Sequence, residues 1–291
     1  MNIKTTWPKI PYRWQVDDTL FISVPFTWNL PALRTELATG NLLASRVVVG
    51  GPAVHLMPDY LAGVAEVGGS VPGVLQRVNP MATRTSYGCP NRCAFCGVNQ
   101  IAPEFRELDD WPRLPIICDD NLLACSRRHF DKVIDSLKGI RAVDFNQGLD
   151  AKLLTPYHAS RFAELDSMIR VSWDNISGES AVMQALDYLL AAKILSSRTR
   201  CYVLVGFNDT PQDALYRCER LTARGIRPNV QRYEPLDALQ KGEYVAEKWT
   251  TESLRAFCRF WNLQAWYGGI RFAEYDRKRF EHADRGQPAL F

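Results

Sequence analysis

The chain has 291 residues, an ordinary globular composition and a net charge of +3, which is too small to indicate nucleic-acid binding by itself. Its eight cysteines are scattered over a long chain, which excludes a small secreted disulfide scaffold and favours a reducing compartment. Residues 1–8 contain no apolar core typical of a signal peptide, and no apolar run is long enough to span a bilayer. We therefore expect a cytoplasmic protein with no membrane partner.

The first 80 residues predict a small appendage before the main domain. Residues 1–18 are polar and aromatic and predict an extended arm. Residues 19–52 predict a strand–helix–strand unit that ends in the β-branched run 47–49 and Gly50. Residues 61–80 are rich in Gly, Val and Pro and predict a linker.

From residue 83 onward, strand and helix patterns alternate, which predicts a parallel sheet with crossover helices. Ser126, Ser177 and Thr210 are predicted to cap three of the helices, and a last, aromatic helix is predicted over residues 251–267 with its aromatic stripe in the core. Residues 271–285 predict a solvated terminal face. The predicted strands are 84–87, 114–118, 141–145, 168–173, 200–205 and 228–233.

Cys89, Cys93 and Cys96 form a C-x3-C-x2-C loop in which Gly88 and Pro90 hold the backbone open. Thiolates suit iron–sulfur clusters, zinc or copper, but structural zinc sites usually take four ligands and no fourth Cys or His lies close in sequence. Three cysteines can hold a cubane cluster with one iron open to a ligand. The alternatives are a zinc loop or three unrelated buried cysteines.

The loop resembles the signature of the radical SAM superfamily, C-x3-C-x-aromatic-C, with Phe95 in the aromatic place. The resemblance implies an α/β fold, a partial (β/α)6 TIM-like barrel over residues 81–235, with an N-terminal appendage at 1–80 and a C-terminal helical extension at 236–291. It implies a catalytic [4Fe-4S] cluster on Cys89, Cys93 and Cys96 that reductively cleaves S-adenosylmethionine (SAM). The resulting 5'-deoxyadenosyl radical would abstract hydrogen from an unidentified substrate, and the electron donor would be a protein such as flavodoxin or ferredoxin.

Polar residues that follow the predicted strands are the further candidates, because barrel sites form at the C-terminal ends of strands. Asp119-Asp120-Asn121 resembles a variant of the family motif that holds the SAM amino group, and either acid can pair with that cation. The resemblance also implies a ribose contact from Ser172 or Asp174, an adenine contact from the backbone of Val205 and Gly206, and packing of Phe95 near cluster and adenine. Gln147 and Asp150 suit a ribose or a polar substrate.

Residues 47–52 resemble the end of a cobalamin-binding domain, but the D-x-H-x-x-G loop is missing, so we expect no cobalamin. The other five cysteines form no second cluster motif, and the four histidines are far apart in sequence. Two alternative functions remain open. One is radical SAM modification of nucleic acid in the manner of methylthiotransferases, which lacks a basic patch to support it. The other is a non-catalytic zinc- or iron–sulfur-binding protein.

Overall fold

A computed structural model describes residues 7–40, 44–68 and 73–275 of the chain. These residues form two sheets, a two-stranded ribbon and several helices. The strands are β1 (Tyr12–Val16), β2 (Thr19–Ser23), β3 (Arg46–Gly50), β4 (Glu66–Val67), β5 (Ala82–Thr83), β6 (Ser86–Tyr87), β7 (Arg106–Glu107), β8 (Ile116–Ile117), β9 (Val143–Phe145), β10 (Ser167–Trp173), β11 (Thr199–Val205) and β12 (Arg227–Arg232). The helices are α1 (Leu30–Ala38), α2 (Pro52–Leu56), α3 (Val74–Val78), α4 (Val98–Ile101), α5 (Arg127–Leu137), α6 (Pro156–Phe162), α7 (Glu179–Ala191), α8 (Pro211–Thr222) and α9 (Thr251–Asn262).

The larger sheet has six strands in the order β5-β8-β9-β10-β11-β12, and every neighbouring pair is parallel. Helices α5 to α8 lie in the connections between β8 and β12, as parallel neighbours require a crossover. The prediction of an α/β chain with a parallel sheet is therefore confirmed. No helix in the described ranges is long and apolar enough to cross a membrane.

Alternation along β10 and β11 gives this sheet two different faces. Ile169, Val171 and Trp173 are buried in the main core with the apolar stripes of the helices, as are Cys201 and Val203. The residues between them on β10 and β11 are only half-buried and largely polar, and we call the side that bears them the polar face. The polar face bears Arg170 on β10, Arg200 and Tyr202 on β11 and Asn229 on β12; Arg170 is in register with Arg200, and Tyr202 with Asn229.

The N-terminal sheet has a core of its own, built around Ile22, Leu30 and Val49, and the predicted strand–helix–strand unit is present. The residues predicted to form an extended arm contain strand β1, which pairs antiparallel with β2, and Trp14 stacks on Phe21 at 5.4 Å. The stretch predicted to be a linker also contains regular structure, because β4 pairs with β3 and α3 lies within the same stretch.

The strand predicted at 84–87 is present in part, as β6, but it does not belong to the large sheet. Strand β5 ends at Thr83, and β6 leaves the large sheet to pair antiparallel with β7. The physical reason is a buried carboxylate, since Oδ1 of Asp119 accepts hydrogen bonds from the backbone N–H groups of Thr85 (2.5 Å) and Ser86 (3.0 Å). Those groups consequently do not continue the ladder begun by β5.

Two predicted helix boundaries differ from the observed ones. Ser177 lies in a 3₁₀ turn before α7 and makes no cap to it. Helix α9 ends at Asn262, where the Asn262 side chain bonds both the N–H (3.0 Å) and the C=O (2.9 Å) of Val230, and Gln264 then adopts a left-handed conformation. The predicted caps at Ser126 and Thr210 are confirmed, and Phe257, Phe260 and Trp261 are buried. The predicted tail lies mostly outside the described residues, beyond residue 275.

Candidate active site

The cysteine loop begins at Gly88, directly after β6, in a conformation that favours glycine. Gly88 has φ +77°, and a Cβ at this position would lie 2.5 Å from the carbonyl oxygen of Glu104. Its N–H donates to Oδ2 of Asp120 at 2.9 Å, and Nη1 of Arg84 donates to the same oxygen at 3.0 Å. Asp120 thereby fixes the start of the loop to the end of β8.

Two side-chain amides connect the loop to neighbouring strand ends. Nδ2 of Asn121 donates to Sγ of Cys89 at 3.3 Å. Nδ2 of Asn91, inside the loop, donates to Oδ2 of Asp150 at 2.7 Å, and Asp150 follows β9. Oδ1 of Asn121 is buried and has no hydrogen-bond partner among the described residues. The loop is therefore held by residues that follow two parallel strands, β8 and β9.

The three thiols are partly exposed and unpaired by disulfides. Burial raises the pKa of Cys93 and of Cys96, and the carboxylate of Asp174 and the neighbouring thiols raise both further. Ionising Cys93 and Cys96 is thus unfavourable unless a nearby cation compensates their charge.

Whether the thiols already surround a metal position can be judged from their arrangement. In the described ranges, no three or more His, Cys, Asp or Glu side chains converge as the ligands of one ion do. The ligands of a zinc ion surround one point, whereas each cysteine of a cubane cluster binds its own iron. A cluster and a zinc ion on this loop therefore both stay predictions.

Asp119 and Asp120 are adjacent in sequence but differ in surroundings. Asp119 is only 3% exposed, and its Oδ2 accepts from the hydroxyl of Thr85 while its Oδ1 accepts two backbone N–H groups. Both of its oxygens are therefore engaged inside the protein. Burial raises the pKa of Asp119, and the hydrogen bonds from Thr85 oppose that rise. Asp120 instead lies at the cysteine loop, and contact of either acid with SAM stays a prediction.

A further carboxylate, Asp174, follows β10 and acts on the thiols through its charge. Burial raises its pKa to about 6; Arg217 opposes this rise and the nearby Asp150 adds to it. Asp120, Asp150 and Asp174 therefore border the loop from three strand ends, and we call these three carboxylates the acidic edge. The sequence predicted all three as site residues, and the fold brings them to the cysteines.

Ser172 and Gln147, which the sequence also predicted as site residues, make no hydrogen bond to the cysteine loop within the described ranges. Ser172 packs against Gly148 so closely that a Cβ on Gly148 would lie 2.0 Å from its Oγ. Gln147 is exposed and lines a small gap with Ile117 and Phe145, and among the described residues no hydrogen bond joins its side chain to the cysteine loop.

Two backbone groups at the end of β11 are already paired: the C=O of Val205 accepts from Tyr233 N at 2.8 Å, and the N–H of Gly206 donates to Asp209 at 2.8 Å. The predicted ribose and adenine contacts stay predictions.

An aromatic row that the sequence did not reveal connects the cysteine loop to two strand ends. The ring of Phe95 packs edge-on against Phe207 at 5.6 Å, Phe207 contacts Tyr233 at 4.7 Å, and Tyr233 contacts Tyr244 at 5.3 Å. The available signal was the position of Phe207 immediately after Gly206, at the end of a predicted strand. The row gives the cysteine loop an apolar neighbour at Phe207.

Arg217 of α8 was also missed, although it holds the strand ends together. Its side chain is 0% exposed, and Nη1 donates to the carbonyls of Trp173 (2.8 Å) and Leu204 (2.9 Å) while Nη2 pairs with Asp209. Its signal in the sequence was its place in an otherwise apolar stripe with Ala214, Cys218 and Leu221. Arg217 fixes the ends of β10 and β11, which carry Asp174 and Gly206.

The chain matches no model of a known protein family, and no curated protein sequence matches it.

Proposed function

We propose that this chain is a radical SAM enzyme in which Cys89, Cys93 and Cys96 hold a [4Fe-4S] cluster. The observation that supports this best is a loop of three free thiols that Asp120 and Asn121 attach to the end of a parallel strand. When bound, the cluster would supply the electron that cleaves SAM reductively. An open iron needs a ligand set of three, and the loop itself supplies three cysteines.

The acidic edge supports SAM as the second ligand. SAM carries an ammonium and a sulfonium, and both cations are attracted by the carboxylates of Asp120, Asp150 and Asp174. Within the proposal, Asp120 rather than Asp119 pairs with the ammonium, because the oxygens of Asp119 are occupied by Thr85 and Ser86. The buried, unpartnered Oδ1 of Asn121 would accept a second hydrogen bond from the same group.

The proposal includes the partial barrel and the reaction. Six parallel strands in chain order, with polar residues gathered where they end, are what a (β/α)6 barrel with a site at its C-terminal rim requires. Arg217 would keep the rim rigid, and the aromatic row that begins at Phe95 would exclude water from it. A flavodoxin- or ferredoxin-like donor in the cytoplasm would supply the electron that cleaves SAM, and the resulting 5'-deoxyadenosyl radical would abstract hydrogen from a substrate.

The test is anaerobic reconstitution with iron and sulfide, followed by reduction with dithionite and product analysis. We expect about four irons per chain, 5'-deoxyadenosine and methionine from SAM, and loss of iron when the three cysteines are changed together to Ala. Cys258→Ala is the matched control, since Cys258 lies on α9 away from the loop, and it should keep its iron. Full iron in the triple variant would refute the cluster assignment.

The same experiment separates the enzyme from a non-catalytic cluster-binding protein. A wild-type chain that holds its cluster and binds SAM, yet yields no 5'-deoxyadenosine above a no-enzyme blank, would be a binding protein. Retention of one metal ion, with no visible charge-transfer absorption, would identify a zinc site instead.

A further inference from the structure

Three arginines form a row across the polar face of the large sheet. Arg170 on β10 pairs in register with Arg200 on β11, and Arg200 pairs in register with Arg227 on β12. Neighbouring parallel strands are about 4.8 Å apart, and residues in register point to the same face. Like charges placed directly opposite one another repel, so a row of three arginines destabilises the folded chain when no anion compensates its charge.

The described residues compensate this charge only in part. Arg170 pairs with Asp144 of β9, which is the one carboxylate that the described residues bring to the row. Arg227 lies beside the neutral side-chain amide of Gln264; with that amide turned so that its oxygen faces Arg227, the oxygen accepts from Nη2 at 2.6 Å and from Nη1 at 3.1 Å. Three guanidinium groups and one carboxylate leave two positive charges.

The guanidinium groups are also incompletely hydrogen-bonded. The Nε atoms of Arg170 and Arg227 are buried and have no hydrogen-bond partner within the described ranges. Burial lowers the pKa of both side chains, and the charge of Arg200 between them lowers both further. Buried donors without acceptors are rare in native proteins, so water, an ion or a ligand has to supply the acceptors.

The row is separate from the acidic edge. Arg200 precedes the end of β11 by five residues, which corresponds to about 17 Å along a parallel strand. A ligand of the row therefore lies deeper along the sheet than the cysteine loop. Its binding can be measured without iron or SAM, so this inference does not rest on the radical SAM proposal.

We propose that Arg170, Arg200 and Arg227 bind the phosphoryl group of a small-molecule phosphate ester. A phosphate monoester carries nearly two negative charges near neutral pH, which match the two uncompensated positive charges. Its oxygens accept the paired N–H groups that a guanidinium presents in one plane. Arg200 stands at the centre of the site, with Arg170 and Arg227 on either side.

The test uses the full-length wild-type chain and titrates inorganic phosphate, glycerol 3-phosphate and succinate at constant ionic strength, with calorimetry as the readout. We expect both phosphates to bind and succinate to bind more weakly. Arg200→Gln should weaken the binding of phosphate at least about tenfold, which is the loss of a charge-assisted hydrogen bond. Arg220→Gln is the matched control, because it removes the same charge from an exposed residue that pairs with Glu179.

A second readout concerns the repulsion within the row. In chloride buffer without phosphate, Arg200→Gln should unfold at a higher temperature than the wild type, and phosphate should raise the unfolding temperature of the wild type and of Arg200→Lys but not of Arg200→Gln. A weakening of phosphate binding by Arg220→Gln equal to that by Arg200→Gln would overturn the proposal, since it would identify a non-specific charge effect. No phosphate binding by the wild type, or equal binding of succinate, would overturn it as well.

Discussion

Asn121, which follows β8, donates a hydrogen bond from Nδ2 to Sγ of Cys89 across 3.3 Å. Hydrogen bonds to cysteine sulfurs are among the factors that set the reduction potential of an iron–sulfur cluster. A residue that follows a strand of the large sheet thus donates a hydrogen bond to the first sulfur of the loop. Asn91 and Asp150 make the second connection between the loop and a strand end.

Asn121→Ala should lower the reduction potential of the reconstituted cluster, because the variant loses a donor that stabilises the more negative, reduced form. One hydrogen bond of about 1 kcal/mol corresponds to about 40 mV for a one-electron couple. Potentiometry followed by electron paramagnetic resonance measures the change. The control is Asn175→Ala, at an exposed position whose side chain bonds Ser177 instead. An unchanged potential in Asn121→Ala would contradict this prediction.

Gly88→Ala should destabilise the cysteine loop and reduce the iron content after reconstitution. Gly88 and Gly139 have nearly the same φ, +77° and +79°, but only Gly88 has backbone atoms where a Cβ would be placed. Gly139→Ala should therefore cost only the conformational penalty of about 1–2 kcal/mol. Urea unfolding and iron analysis of both variants provide the comparison. If the two variants lose equal stability and equal iron, close packing at Gly88 has no role.

Asp174→Asn should stabilise the chain at alkaline pH when cluster and SAM are absent. The pKa of Asp174 is raised from 3.8 to about 6, mainly by burial, so the folded state binds this proton more tightly than the unfolded state. The contribution of this group is therefore favourable below about pH 4 and is lost as the pH rises through about 6. The loss of this contribution lowers the free energy of unfolding by at most about 3 kcal/mol at pH 8.

Urea unfolding at pH 4 and pH 8 measures this effect. The wild type should lose stability relative to Asp174→Asn between these two values, whereas Asp187→Asn, at an exposed position of α7, should follow the wild type. A difference between wild type and Asp174→Asn that does not change with pH would show that Asp174 has an ordinary pKa.

Arg217→Ala should lower the free energy of unfolding by about 3–5 kcal/mol, because it leaves the carboxylate of Asp209 buried without its partner. The double variant Arg217→Met, Asp209→Asn should lose less, since it removes both charges. Arg220→Ala on the same helix breaks an exposed ion pair with Glu179 and should cost about 1 kcal/mol or less. A loss for Arg217→Ala as small as that for Arg220→Ala would show that the ion pair does not hold the strand ends.

Much of the fold could be read from local patterns. The β-branched and apolar runs that became β10, β11 and β12, and the caps at Ser126 and Thr210, depend on residues within a few positions of each other. The loop of three cysteines is likewise a local spacing. The first strand was misplaced because Asp119, some 30 residues later, takes the N–H groups of Thr85 and Ser86, and no local pattern contains that contact.

The amino-acid order was therefore sufficient for the strands, the crossover helices and the position of the candidate ligand loop. The partners of the side chains were not accessible from it, because they depend on strand order and register between segments far apart in the chain. Register alone places Arg200 between Arg170 and Arg227, and sheet order alone brings Asp150 and Asp174 to Cys93. Burial likewise depends on tertiary structure. From the sequence, Arg217 is expected at the surface, but the ends of β10 and β11 enclose it. Its charge and its hydrogen bonds must therefore be satisfied by protein groups.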